Sequence, residues 1–264
     1  MRIATFQGPH DPLDKAGVLA RIDGAAKAAA AQGARVLVCP EMVLSGYNIG
    51  RAGAEAAAER ADGPSARAIA EIAKRNAIAI AYGYPEAGEA GEVYNSAQVF
   101  DRDGTALVNH RKCHLFGDLD RNAFAPGTGL APVFEIDGVK TGILICYDVE
   151  FPEAVRTYAL QGVELVLVPT ALMLPFDFIP EKLVPTRAFE NQVFIVYANR
   201  CGAEGELTYA GLSVIAAPDG VDLARAGRGE EVIVGDIDFP AAEAARAANP
   251  YLADRRPGLY RSVP

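Results

Sequence analysis

The chain has 264 residues, half of them hydrophobic, and a formal net charge of −9 with no basic cluster, so nucleic acid is excluded as an expected partner. No apolar run approaches the roughly 20 residues of a membrane span, and the first residues open on a strand-like pattern without a leader's hydrophobic segment. Cys39, Cys113, Cys146 and Cys201 lie far apart and read as free thiols of a reducing cytoplasm, and no CxxC spacing offers a metal site.

In chain order, residues 2–8 alternate and predict a first strand. Residues 14–33 are Ala-rich and predict a helix closed by Gly33 as a C-cap. A short apolar strand covers 35–39 and is ended by Pro40-Glu41, and SGYNIG at 45–50 is a loop. A second helix is predicted over 64–76, with Pro64 near its start and Asn76 near its end. Strands follow at 77–84 and 93–101, and Arg102-Asp103-Gly104 turns the chain into 105–110 as a hairpin. Residues 112–129 read as irregular, and a second hairpin joins 133–137 to 139–146 through Gly138. Helices are predicted at 152–161 and 181–191, and strands at 164–169 and 193–199. A third hairpin, 211–217 with 221–226, turns at Pro218-Asp219-Gly220. The last strand (231–237) and helix (241–248) precede a polar, Pro-containing tail at 250–264.

Strand–helix–strand units imply parallel pairing and hairpins imply antiparallel pairing. With helices spread along the whole chain, the economical architecture is an α/β fold of two mixed sheets packed face to face, with helices outside. No repeat, low-complexity block or linker divides the chain, so a single domain over 1–264 is expected.

The chemistry concentrates at 140–153, KTGILICYDVEFPE. An apolar run ends at Cys146, and Pro152 and Glu153 then suit a first helical turn. Cys146 by itself reads either as a nucleophile at a strand's carboxyl end or as a small core residue. Glu41 and Lys112 share its placement, each just after a strand, where side chains converge on one pocket. Either alone would be a solvated or surface charge. Together, a thiol, a base and a cationic donor are what acyl transfer requires. The only histidines are His10, His110 and His114. His10 and His110 read as surface or hydrogen-bonding residues, whereas His114 stands two residues beyond Lys112 and has a conceivable place near the site.

Three stretches, LVCPEMVLSGYNIG around Glu41, HRKCHLFGDLDRNAFAPG around Lys112 and GILICYDVEFPEAVR around Cys146, resemble the nitrilase superfamily of carbon–nitrogen hydrolases. VPTA (168–171), RAFENQVFIVYANRCG (187–202) and the PDG hairpin extend the resemblance over about residues 2–240. It implies a four-layer α-β-β-α sandwich and a Glu41–Lys112–Cys146 triad, with Cys146 attacking a primary amide to form a thioester. It implies Lys112 and a backbone N–H, that of Tyr147, on the oxyanion, and Glu41 as base and acid. No metal or organic cofactor is called upon. Subunits of the family usually pair through the helix after the cysteine and the RAFEN-like helix, so a homodimer or larger homo-oligomer is implied. Many members carry a second glutamate eight residues beyond the lysine; here that position is Asp120, one methylene shorter.

Within the superfamily, GYNIG, ADGP, YGYPE, YNS, RKCHLFGDLDR and ICYDVEFPE resemble 5-aminopentanamide amidases and related stereoselective amidases. A cationic substrate would need a carboxylate near the reacting carbon, and Asp118, Asp120 and Glu150 are the nearest in sequence. Equally, these acids could pair with Arg111, Arg121 or Arg156. Glu190 and Asn191 read as fold or interface residues as readily as functional ones. A nitrilase or carbamoyl hydrolase on the same triad, and an inactive binding protein on the same scaffold, are the competing readings.

Overall fold

The computed structural model describes residues 1–8 and 14–260; His10 lies outside the described residues. The first sheet contains β1 (Arg2–Gln7), β2 (Val36–Val38), β3 (Ala79–Ala87), β4 (Val93–Phe100), β5 (Ala106–Arg111) and β14 (Glu231–Asp236). Its order is β14-β1-β2-β3-β4-β5; β1, β2 and β3 are parallel, and the others join antiparallel. The second sheet contains β6 (Phe134–Ile136), β7 (Val139–Ile143), β8 (Leu165–Pro169), β9 (Phe194–Ala198), β12 (Val214–Ala216) and β13 (Asp222–Arg225). It runs β13-β12-β9-β8-β7-β6, again with three parallel strands, β7, β8 and β9, at its centre and antiparallel partners outside. The two sheets therefore share one strand plan, although the sequence shows no repeat.

Alternation along each strand decides which layer a side chain enters. Ile3, Val36, Val38, Ala79 and Ala81 of the first sheet meet Ile143, Leu165, Leu167 and Val196 of the second in one apolar core. The opposite faces take the helices. Ala4, Leu37, Ile80 and Tyr82 pack under α1 (Lys15–Ala31) and α3 (Pro64–Asn76). Val166, Val168, Ile195 and Tyr197 pack under α5 (Pro152–Leu160) and α6 (Val184–Asn191). The result is helix, sheet, sheet, helix.

Several boundaries depart from the sequence reading. The first helix ends one turn-cap earlier, at Gln32, and Gly33 follows with φ +80°, the left-handed exit that glycine tolerates. Helix α2 (Gly50–Ala57) was not expected, because it has no side-chain cap and two glycines lower its helix propensity. The stretch 112–129 contains a short helix, α4 (Gly117–Arg121). A small hairpin, β10 (Ala203–Glu204) with β11 (Leu207–Thr208), is too brief to show a period. A wide π-type turn at Ile179–Leu183 runs into α6. After α7 (Phe239–Ala248), the tail carries one more turn of helix, α8 (Tyr251–Asp254). Among the described residues no helix is long and apolar enough to cross a membrane.

Candidate active site

Strand β7 stops at Ile143, three residues before Cys146, and a 3₁₀ turn spans Cys146–Glu150. The expected strand over 139–146 is thus shortened, and Cys146 begins a turn with φ +45°. A non-glycine residue in the left-handed region is costly and marks a position over-determined by its surroundings. Glu41 follows β2 and is fully buried; its N–H donates to Thr170 O at 3.3 Å. Lys112 follows β5 and is also fully buried. Its Nζ donates to Glu41 Oε1 at 2.7 Å and to Asp120 Oδ2 at 2.7 Å. Asn95, on β4, donates to the same Glu41 oxygen at 2.7 Å.

The electrostatics follow from one ammonium set between two carboxylates in a buried site. Burial alone would lower the Lys112 pKa, but Glu41, Tyr47 and Asp120 push it well above the ordinary lysine value. Burial raises the Glu41 carboxyl, with Lys112 opposing and Asp120 adding to the rise. Burial and the negative field of Glu41 also hold the Cys146 thiol well above its ordinary value, against Lys112 and the Ala171 N–H. The resting thiol is therefore neutral, and a proton must leave it when it attacks. Glu41, with a raised pKa, is suited to take that proton and return it.

Asp120 answers the question posed by the shorter side chain. Both contacts of its Oδ2, with Lys112 Nζ and with the Phe116 N–H at 2.8 Å, turn it to the lysine. Neither Arg111 nor Arg156 takes it: Arg111 pairs with Glu86, and Arg156 donates to Glu190 O. Asp120 thus stands beside Lys112, while its Oδ1 is buried and takes no hydrogen bond among the described residues. Asp118 is exposed on α4, away from this contact set. Glu150 ends the nucleophile turn half-buried, and burial lifts its carboxyl to about 7 against the pull of Lys112 and Arg187. Tyr147 follows Cys146 and meets Phe116 and Phe151 edge-on, at 5.4 and 5.0 Å between ring centres.

Among the described residues no histidine serves the thiol. His110 and His114 both turn to Asp148, whose carboxylate lies two residues past Cys146. Arg187 donates to the Val149 and Glu150 carbonyls and is held by Glu190, so Glu190 supports the nucleophile turn from α6. Asn191 only back-bonds to Arg187 O within the helix. Asn95, Asp148 and Arg187 escaped the sequence reading. The available signals were an Asn inside the strand VYNSAQVF and an acid two residues past the nucleophile.

Comparison with known proteins places the chain in a family. The carbon–nitrogen hydrolase family model matches residues 2–247. The "hydrolase in pqqF 5′ region" of Pseudomonas protegens is 52% identical over 98% of this chain and 90% of its own length. The (R)-stereoselective amidase of a Pseudomonas species is 37% identical over 84% of this chain and 79% of its own. The crystal structure of an amidase from a Nesterenkonia species superposes with a TM-score of 0.88 at 38% identity, covering 99% of this chain and 95% of that one. Variants of that amidase have been crystallised with butyramide and with acrylamide added to the active-site cysteine. This chain belongs to the carbon–nitrogen hydrolases of the nitrilase superfamily.

Proposed function

We propose that the chain hydrolyses a small primary carboxamide to the acid and ammonia through a thioester on Cys146, with 5-aminopentanamide the leading substrate. The observation that carries this is the buried Glu41–Lys112 contact set beside a thiol in a strained turn. Glu41 takes the thiol proton as the sulfur attacks the amide carbon. Lys112 and the Tyr147 N–H hold the oxyanion. The carbonyl re-forms as ammonia leaves with a proton from Glu41. Glu41 then deprotonates the water that cleaves the thioester, and Cys146 recovers its proton.

The cationic preference is supported by Glu150, a half-buried carboxyl close enough to feel Lys112 and to raise the Cys146 thiol. The test compares kcat/KM for 5-aminopentanamide and hexanamide, which have similar length. A preference for the amine that disappears in Glu150→Gln supports the reading. Equal rates, or a preference for the neutral amide, move the assignment to a general aliphatic or stereoselective amidase.

A homodimer through α5 and α6 and a cytoplasmic setting complete the proposal. The four free cysteines suit a reducing compartment. Half-exposed Phe189 on α6, edge-on to Tyr251 at 5.6 Å, supplies an apolar surface to the α6 side. Light scattering on purified protein measures the assembly directly, and a monomer at micromolar concentration would remove the dimer.

A further inference from the structure

We infer that Asp148 is a positioning residue that sets the alignment of Lys112 with Cys146. The inference rests on the cysteine–lysine reading of the site. The Asp148 carboxylate is fully buried and accepts from five N–H groups. Its Oδ1 takes the Cys113 N–H at 3.2 Å, the His114 N–H at 2.9 Å and His114 Nδ1 at 2.7 Å. Its Oδ2 takes the Ile145 N–H at 3.1 Å and His110 Nε2 at 3.1 Å.

The donors are the main-chain neighbours of the two reacting residues. Cys113 and His114 directly follow Lys112, and Ile145 directly precedes Cys146. The first group leaves β5 at the edge of one sheet, and the second leaves β7 in the other. A single carboxylate therefore ties the lysine loop to the nucleophile turn across the two sheets. It also holds the turn at the residue before the left-handed Cys146, where an unheld backbone would relax. Asp148 itself touches no reacting atom. Its oxygens are taken up by main-chain and imidazole donors, which against the effect of burial keep it well below the usual carboxylate range. His114 is pinned a second way, with its ring stacked on Phe151 at 3.9 Å.

Asparagine at this position keeps one acceptor and replaces the other with an NH₂ group. Facing His114 with its oxygen, it would turn that NH₂ on the Ile145 N–H, and the nucleophile turn would lose its anchor while the lysine loop kept its own. The experiment measures Asp148→Asn for amide hydrolysis and for the rate at which iodoacetamide modifies Cys146, with circular dichroism as the fold check. The expected result is a folded protein whose kcat falls by about 10²-fold, the order expected for a misplacement of about 1 Å, with KM changed by less than about threefold. In a Lys112→Ala background the same substitution should add little further loss, because the alignment it serves is already gone. Wild-type kcat in folded Asp148→Asn, or a loss that multiplies fully with that of Lys112→Ala, overturns the inference. If Asp148→Asn does not fold, His114→Ala is read instead. It removes one imidazole donor from the exposed end and should lower kcat by about 3- to 10-fold at unchanged KM, and an unaltered kcat there overturns the inference. The underlying reading is tested separately by Cys146→Ala: ammonia release persisting in that variant would sink the thioester mechanism whatever Asp148 does.

Discussion

At the residue scale, the proposed mechanism rests on three side chains whose charges only make sense together. Cys146→Ala should abolish ammonia release with an unchanged circular dichroism spectrum, while Ala at Cys39, Cys113 or Cys201 should leave much of it. Lys112→Ala should lose about 10²–10³-fold in kcat, the usual cost of an oxyanion donor. Glu41→Gln should fall further, because in the proposed mechanism the thiol proton and the water proton both pass through that carboxyl; near wild-type turnover would remove it as the base. Glu150 carries the pH dependence. Its folded pKa is raised to about 7, so the carboxyl is neutral below that pH and ionised above it, while an alkyl ammonium stays charged throughout. The ratio of kcat/KM for 5-aminopentanamide over hexanamide should therefore rise about tenfold between about pH 6 and pH 8, and Glu150→Gln should flatten it. Ionisations common to both substrates cancel in that ratio, so a flat wild-type ratio would exclude Glu150 as the cation's partner. Glu41, Lys112 and Cys146 were legible because each follows a strand end. Asp148 was not, since an acid two residues past a nucleophile reads the same whether it faces substrate or main chain.

At the element scale, the site depends on how closely strands approach. Gly83 on β3 lies against the Glu41 turn, and a Cβ there would stand 2.4 Å from Met42 N and 2.7 Å from Glu41 Cα. Those are backbone atoms, so they cannot swing aside as a side chain tip would. Gly83→Ala should displace Glu41 and lower kcat by about 10²-fold, although residue 83 makes no contact with substrate in the proposed mechanism. A Gly83→Ala enzyme with wild-type kcat would show that the base tolerates movement. The longer helices and the hairpins could be read from the sequence because period and turn chemistry agree: Pro64 opens α3 and Pro152 opens α5. Helix α2 and the β10–β11 hairpin could not. They are short, and tertiary packing rather than propensity selects them.

At the scale of the whole molecule, stability resides in the seam between the sheets. Leu167 on β8 is fully buried there. Leu167→Ala should cost about 2–5 kcal/mol, a transfer loss plus a cavity that rigid strands on both sides cannot close. Thermal unfolding checks it, and a loss below about 1 kcal/mol would mean that the seam collapses around the gap. The layered arrangement was legible because strand periodicity and helix placement together admit few alternatives. The shared order of the two sheets was not, because it lives in pairing across long sequence distances and leaves no repeat in the residues.

One of those long pairings bears on how the molecule is made. The first sheet is closed at its edge by β14, which pairs Arg2 with Asp236 and Gln7 with Glu231. During synthesis β1 is made long before β14, and its outer edge stays unpaired until β14 follows. Through that interval it offers a row of free backbone donors and acceptors to any other extended chain. Nascent chains stalled before residue 231 should accordingly depend on a chaperone to stay soluble, and those released after β14 should not.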